Sequence, residues 1–91
     1  SATARKGIAM SSGYIFRGED AKWSDGYGRE YDTFVVFAND DDIATYQVHA
    51  DGALERLWSR GPVAMTTPIA VASRESAVRQ CRKAWESSPH T

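Results

Sequence analysis

Residues 31–49 constrain the fold more than any other part of this sequence. Side chains at positions 32–37 alternate in a stretch rich in β-branched and aromatic residues, which predicts a strand with both faces at least partly covered. Short polar residues follow at positions 39–42, and such side chains cap the free N–H groups at the start of a helix. The sequence therefore predicts a strand that leads into a capped helix starting near residue 40.

This predicted helix carries the candidate catalytic residues. Ile43, either Tyr46 or Gln47, and Ala50 fall on one face at helical spacing, with His49 about one turn after Tyr46. On this interpretation Tyr46 lies between core and solvent, and both polar side chains face the same cavity. Two structural roles stay open: Tyr46 as an ordinary half-buried core tyrosine, and His49 as a helix-end histidine that favours the C-terminal dipole.

Length and charge limit the classes of function. The 91 residues predict a single domain, 1–91, and a chain of this size buries only about 60–65% of the surface that its unfolded form exposes. The net charge is −1 and the charged residues are dispersed, so neither nucleic acid nor an anionic membrane is an expected partner. Because no apolar run of about 18 residues occurs, no membrane span is predicted.

The cysteine and acidic residues offer no cofactor site. Cys81 is the single cysteine, which excludes an internal disulfide and a cysteine-based zinc site, and it falls on an apolar helical stripe where a small buried hydrophobe is expected. The run at positions 40–42 lacks the spaced ligands and turn glycine of a calcium loop, so a capping role is preferred. We therefore expect no metal and no other cofactor.

The sequence does not identify a compartment. It starts at Ser1 without a methionine, which fits a mature end left after removal of an organelle-targeting peptide, a cloning remnant or part of a longer chain. A single cysteine fits a reducing compartment but does not establish one.

Aromatic residues stand out in the part of the chain before residue 31. Residues 13–16, at the end of the apolar stretch 8–16, read as a strand, and residues 17–30 read as a long connection that carries Trp23 and Tyr27. The two aromatic side chains could cover a pocket mouth, contact a partner, or pack over an otherwise exposed sheet edge.

Three further elements are predicted after His49. Leu54, Leu57 and Trp58 have helical spacing, which predicts a second helix with these residues on its buried side. Residues 63–71 read as a last strand, in which Pro68 fits only an edge or bulge position. A final helix begins after Ser73, which can act as its cap. Its apolar stripe consists of Val78, Cys81 and Trp85, or of Ala77 and Ala84.

This element order predicts an α+β fold with an antiparallel sheet and helices on one face. Residues 13–20, Tyr27, residues 29–37 and residues 46–51 then resemble the stress-responsive A/B barrel domain family. The resemblance covers residues 8–72 and implies a ferredoxin-like dimeric α+β barrel, with residues 73–91 as an extra C-terminal helix and tail.

The chain departs from the pattern of that family at informative places. At most residues 1–6 remain of the long helix that precedes the first strand in the family. Ala50 stands where the family has a proline, and Gly52 stands where it has a second histidine. In polyketide-cyclising members the resemblance assigns acid–base chemistry to a tyrosine matching Tyr46 and to that second histidine, so the base is absent here.

Two functions follow from these observations. The favoured one is a non-catalytic binding or assembly subunit, in a homodimer or a larger protein assembly, that makes contact through its sheet, its aromatic loop and its C-terminal helix. The contact residues would be Trp23, Tyr27, Trp58 and Trp85. The alternative is a small-molecule enzyme of the polyketide-cyclase or aldol type, in which Tyr46 and His49 act on an apolar carbonyl ligand in the barrel.

Overall fold

A computed structural model of the chain describes residues 13–66 and 69–87, without the side chains at 65 and 66. They form one antiparallel sheet of five strands in the order β1-β2-β3-β4-β5, so each strand pairs with its neighbours in sequence. The elements are β1 (Phe16–Ser24), β2 (Glu30–Ala38), β3 (Asp41–Val48), β4 (Leu54–Ser59), α1 (Pro62–Thr66), β5 (Ala70–Val71) and α2 (Arg74–Ser87).

The predicted helix starting near residue 40 is wrong, because β3 occupies that segment. Ala38 and Asp41 are paired, so the chain reverses through Asn39 and Asp40 alone. Asn39 has φ +57°, a left-handed conformation that asparagine tolerates well. The polar run therefore makes a hairpin turn instead of capping a helix, and Tyr46 lies on a strand.

The second predicted helix, through Leu54 and Trp58, is also wrong, because these residues form β4. Tyr46 pairs with Arg56 and Thr45 pairs with Trp58, which leaves Leu57 as an extra residue in a β-bulge. The bulge shifts the alternation of side chains by one position. An apolar pattern that resembles helical spacing therefore belongs to a bulged strand.

The remaining boundaries differ in three places, the first being the strand expected over residues 13–16, of which only Phe16 lies in β1. The long connection expected over residues 17–30 is mostly β1, and only residues 25–29 form the turn to β2. The strand expected over residues 63–71 is replaced by α1 and the two-residue β5; Pro62 opens α1 at the first helical position, where a missing N–H costs nothing. Residues 1–6 and Pro68, which entered the sequence predictions, lie outside the described residues.

The C-terminal helix and its cap are confirmed. The backbone N–H of Ser76 donates to Oγ of Ser73 over 3.2 Å, immediately before α2. The buried side of α2 carries Ala77, Cys81 and Ala84, which pack with core residues of the sheet. The α+β class, an antiparallel sheet with a helix at the C-terminal end, is therefore confirmed.

Candidate functional site

Tyr46 is fully buried in the core and contacts Cys81 of α2. Its hydroxyl lies 3.2 Å from Sγ of Cys81, and either group can donate the hydrogen bond. Burial raises the pKa of Tyr46, with the contact to Cys81 acting in the same direction, and burial also raises the pKa of the Cys81 thiol. Both groups are therefore neutral near pH 7 and link β3 to α2.

His49 lies in the turn between β3 and β4, on the surface. Its Nε2 is 3.1 Å from Oε1 of Glu55, and its backbone N–H donates to the carbonyl of Ala53 over 2.9 Å. A general acid and base must both reach the same substrate. The structure instead gives the two predicted catalytic residues different partners, Cys81 inside the core for Tyr46 and Glu55 at the surface for His49.

The four predicted contact residues lie in three different places. Trp23 in β1 is 53% exposed and Trp58 in β4 is 45% exposed. Tyr27 is 92% exposed in the turn between β1 and β2. Trp85 lies on α2 and is half-buried, with its ring edge-on to Tyr14 at a centroid distance of 5.9 Å.

Cross-strand pairing shows which side chains share the sheet face opposite α2. Directly paired residues in an antiparallel ladder point to the same side. Trp23 is paired with Tyr31, and Trp58 is paired with Thr45. These residues alternate with core residues, so they face away from α2. We call this surface the open face; it comprises Arg17, Glu19, Ala21, Trp23, Tyr31, Thr33, Val35, Phe37, Asp42, Thr45, Gln47, Glu55, Trp58 and Ala70.

Side-chain contacts order the aromatic residues of the open face. The rings of Trp23 and Tyr31 are 5.3 Å apart between centroids and tilted by 32°. The guanidinium of Arg17 lies 4.3 Å from the centroid of the Phe37 ring and also pairs with Glu19. The open face therefore presents held aromatic rings and an arginine stacked on one of them.

The sequence analysis identified only part of this surface. Trp23 and Trp58 were predicted contact residues, whereas Arg17, Tyr31 and Phe37 were not. The period-2 alternation of β2 was visible, and a hairpin reading of the turn at Asn39 would have supplied the register that joins these residues into one face.

Two open grooves lie between α2 and the covered side of β1. One, of about 410 Å³, is bordered by Gly18, Phe34 and Val78 with three arginines at its rim. The other, of about 370 Å³, is bordered by Asp20, Lys22 and Asp32. The three rim arginines are Arg74, Arg79 and Arg82. Arg74 belongs to both grooves and donates from Nε to Oδ1 of Asp20 over 2.7 Å, so its charge is already paired.

Metal ligation and membrane crossing find no support in the part of the chain that the structure describes. Over residues 13–66 and 69–87, no three or more His, Cys, Asp and Glu side chains are grouped so that they could hold a metal ion. Within the same residues, neither helix has the length and apolar character needed to cross a bilayer. Comparison of the chain with protein-family models, with curated proteins and with solved structures finds no match.

Proposed function

We propose that this chain is a non-catalytic binding or assembly protein that contacts another protein through the open face of its sheet. The observation that carries this proposal is that the described residues cover the sheet with helices on one side only. Both helices belong to the side that holds the core, while Trp23 and Trp58 stay about half exposed on the other side. Large apolar side chains grouped on one surface are typical of a contact site for another molecule.

The composition of the open face supports a protein partner. Trp, Tyr, Phe and Arg are the side chains enriched in the cores of protein interfaces, and all four occur here. The contacts between Trp23 and Tyr31 and between Arg17 and Phe37 hold these side chains in place before any partner binds. Ordered side chains lose less conformational entropy on association, which favours binding.

The resemblance to the stress-responsive A/B barrel family suggests one form of such an assembly, in which a second sheet packs on the open face to close a barrel. Tyr27 and the solvent side of α2 would then add contacts at the margins. In this form the tyrosine that carries the resemblance, Tyr46, has a core role on β3 instead of an active-site role on a helix.

The enzyme alternative has less support from the same residues. Its acid would be Tyr46, whose hydroxyl is buried against Cys81, and its base would be His49, which is paired with Glu55. The grooves beside α2 are bordered by other residues, so neither brings these two side chains together.

Site-specific photocrosslinking tests the proposed contact. A photoreactive amino acid replaces Trp58 on the open face or, as the control, Ile69, which is 57% exposed and adjoins Arg56 of the covered side. In cells that express the chain, we expect a discrete crosslinked product from position 58 and none from position 69. Adding Trp23→Ser should reduce the product at position 58 severalfold. Equal products from both positions, or none from position 58, would contradict the proposal.

A further inference from the structure

Among the described residues, the strand β1 forms one edge of the sheet, and it lacks the proline and the β-bulge that commonly block pairing at an edge. It pairs with β2 over all of its residues, Phe16–Ser24, without a shift in register and without a proline. The opposite edge is the two-residue β5. Among the described residues no strand pairs with the outer side of β1. Natural proteins rarely leave a long regular edge unpaired, because it is a template for a further strand.

The ladder shows which backbone groups β1 offers on its outer side. Just beyond its two ends, Asn39 donates to the carbonyl of Ile15 and Asp25 donates to the carbonyl of Arg29. In an antiparallel ladder the hydrogen-bonded positions alternate, so the odd-numbered residues of β1 bond to β2. The even-numbered residues direct their N–H and C=O groups outward; they are Phe16, Gly18, Asp20, Lys22 and Ser24.

We propose that two copies of this chain pair antiparallel along β1, with a twofold axis at Ala21, and form one continuous sheet. In this register Asp20 of each copy faces Lys22 of the other, and Gly18 faces Ser24. Even-numbered residues meet only even-numbered residues, so the outward groups of the two strands can form about eight backbone hydrogen bonds. Both α2 helices lie on one side, and the two open faces join on the other.

Charge complementarity favours this register over the others. It also favours a second copy of the chain as the strand that pairs with β1. An axis at Glu19 or Asp20 would place two carboxylates opposite each other, and an axis at Lys22 would place two ammonium groups opposite each other. Like charges directly opposite in a ladder are destabilising, whereas opposite charges stabilise it. An axis at Gly18 pairs Arg17 with Glu19, but it overlaps only the first part of β1, residues 16–20.

The ion-pair partners of Asp20 and Lys22 within each copy continue this alternation of opposite charges. Asp20 accepts from Arg74 at 2.7 Å, and Lys22 lies 2.9 Å from Asp32. In the paired sheet the charges of Arg74, Asp20, Lys22 and Asp32 would alternate in sign across the junction. The edge itself is accessible, because residues 19–24 are exposed and open grooves separate α2 from Gly18 and Lys22.

A disulfide across the axis tests the register directly. Two Ala21 residues would face each other at a non-hydrogen-bonded position, where Cα atoms lie about 4.5 Å apart, within the range for a disulfide. We expect Ala21→Cys to form an interchain disulfide at least about tenfold faster than Ala64→Cys, since pairing raises the effective thiol concentration. Ala64 is an exposed control on α1, and the native Cys81 is buried, so it adds little background.

Charge exchange at the junction tests the same register without a new bond. Asp20→Lys and Lys22→Asp each place like charges opposite each other, so each should sediment as a monomer of 10.0 kDa where the wild type has twice that mass. The double variant Asp20→Lys with Lys22→Asp should dimerise again. Arg74→Gln is the control for the loss of the internal partner of Asp20, and it should stay dimeric.

Two results would overturn the proposal. The first is a wild-type chain that sediments as a monomer at every concentration, whatever covers the edge of β1. The second, equal oxidation of Ala21→Cys and Ala64→Cys, would do so even if a variant at Asp20 fails to fold. The crosslinking result at Trp58 is independent of these measurements, so this inference and the proposed function can fail separately.

Discussion

The contact between the Tyr46 hydroxyl and the Cys81 thiol joins the centre of the sheet to α2. The sequence analysis predicted a buried Cys81, and this prediction is confirmed. It did not connect Cys81 with Tyr46, because the two residues are far apart in sequence and because Tyr46 was assigned to a helix. Both groups are neutral in the folded state, and this neutrality makes the stability of the protein depend on pH.

We expect the free energy of unfolding to fall as the pH rises above about 9. The folded pKa of Cys81 lies above its ordinary value of 9.0, so the unfolded chain loses its thiol proton first and is favoured in alkaline solution. The stabilising effect is complete below that pH and is lost above it. Urea unfolding at pH 8, 9 and 10 should show a shallower decline for Cys81→Ala than for the wild type. An unchanged decline would contradict the assignment.

The same reasoning predicts that Tyr46→Phe also changes the pH dependence of the free energy of unfolding. The ordinary pKa of Tyr46 is 10.0, so removing its hydroxyl should change the pH dependence above about pH 10, and also near pH 9, because the same hydroxyl lowers the pKa of Cys81. Because Phe keeps the packing of the ring, stability at pH 7 should change by no more than about 1 kcal/mol. A loss of several kcal/mol in urea unfolding at pH 7 would show that the hydroxyl has a larger structural role.

Gly18 is required for the packing of Phe34. A Cβ at position 18 would collide with the ring of Phe34, which is 5% exposed and part of the core. We expect Gly18→Ala to destabilise the protein by about 1–3 kcal/mol, as overpacking generally does. Combining it with Phe34→Leu should cost less than the sum of the two single changes in thermal unfolding. Additive effects would mean that the two residues do not compete for space.

At the level of elements, the turn at Asn39 decides the topology of the sheet. Its backbone N–H donates to the carbonyl of Ile15 over 2.7 Å, and its Oδ1 accepts from the N–H of Ile15 over 2.9 Å. The residue thus turns β2 into β3 and also secures the segment that leads into β1. This combination of a left-handed φ and a bonded amide side chain suits asparagine.

Substitutions at Asn39 should separate the contribution of its left-handed backbone conformation from that of its side-chain hydrogen bond. Asn39→Gly keeps the left-handed conformation and loses only the side-chain hydrogen bond, so we expect a cost of about 1 kcal/mol. Asn39→Ala also strains the backbone and should cost about 1–3 kcal/mol in urea unfolding. If the alanine variant were the more stable of the two, the turn conformation would not be the deciding factor.

The sequence supports β2 and α2 better than the other elements of the fold. The strand β2 and the Ser73-capped α2 were predicted because each has an unambiguous period and, for α2, a cap. Residues 41–59 were misread, since a polar turn was taken for a cap and a bulge at Leu57 imitated helical spacing. Of the open face, the sequence analysis predicted only Trp23 and Trp58. Which other residues share that face depends on the strand register, which the misread turn at Asn39 concealed.

At the scale of the molecule, the described residues share one hydrophobic core, which lies between the sheet and α2. In a domain of 91 residues such a core supports only marginal stability, of the order of 5–15 kcal/mol. Ala77, Cys81 and Ala84 of α2 belong to the same cluster as Val36 and Leu54 of the sheet. Loss of α2 from the sheet should unfold the molecule as a unit.

An aspartate on the buried or on the exposed side of α2 tests whether the sheet and α2 unfold together. Ala77 is fully buried against the sheet, whereas Lys83 is exposed on the same helix. We expect Ala77→Asp to abolish cooperative thermal unfolding, because an unpaired carboxylate in the core costs several kcal/mol, a large part of the total stability. The matched change Lys83→Asp should cost under about 1 kcal/mol, since its carboxylate stays in water. A cooperative transition in Ala77→Asp with near-wild-type ellipticity of the aromatic side chains would show that the sheet folds without α2, and the one-core description would then be wrong.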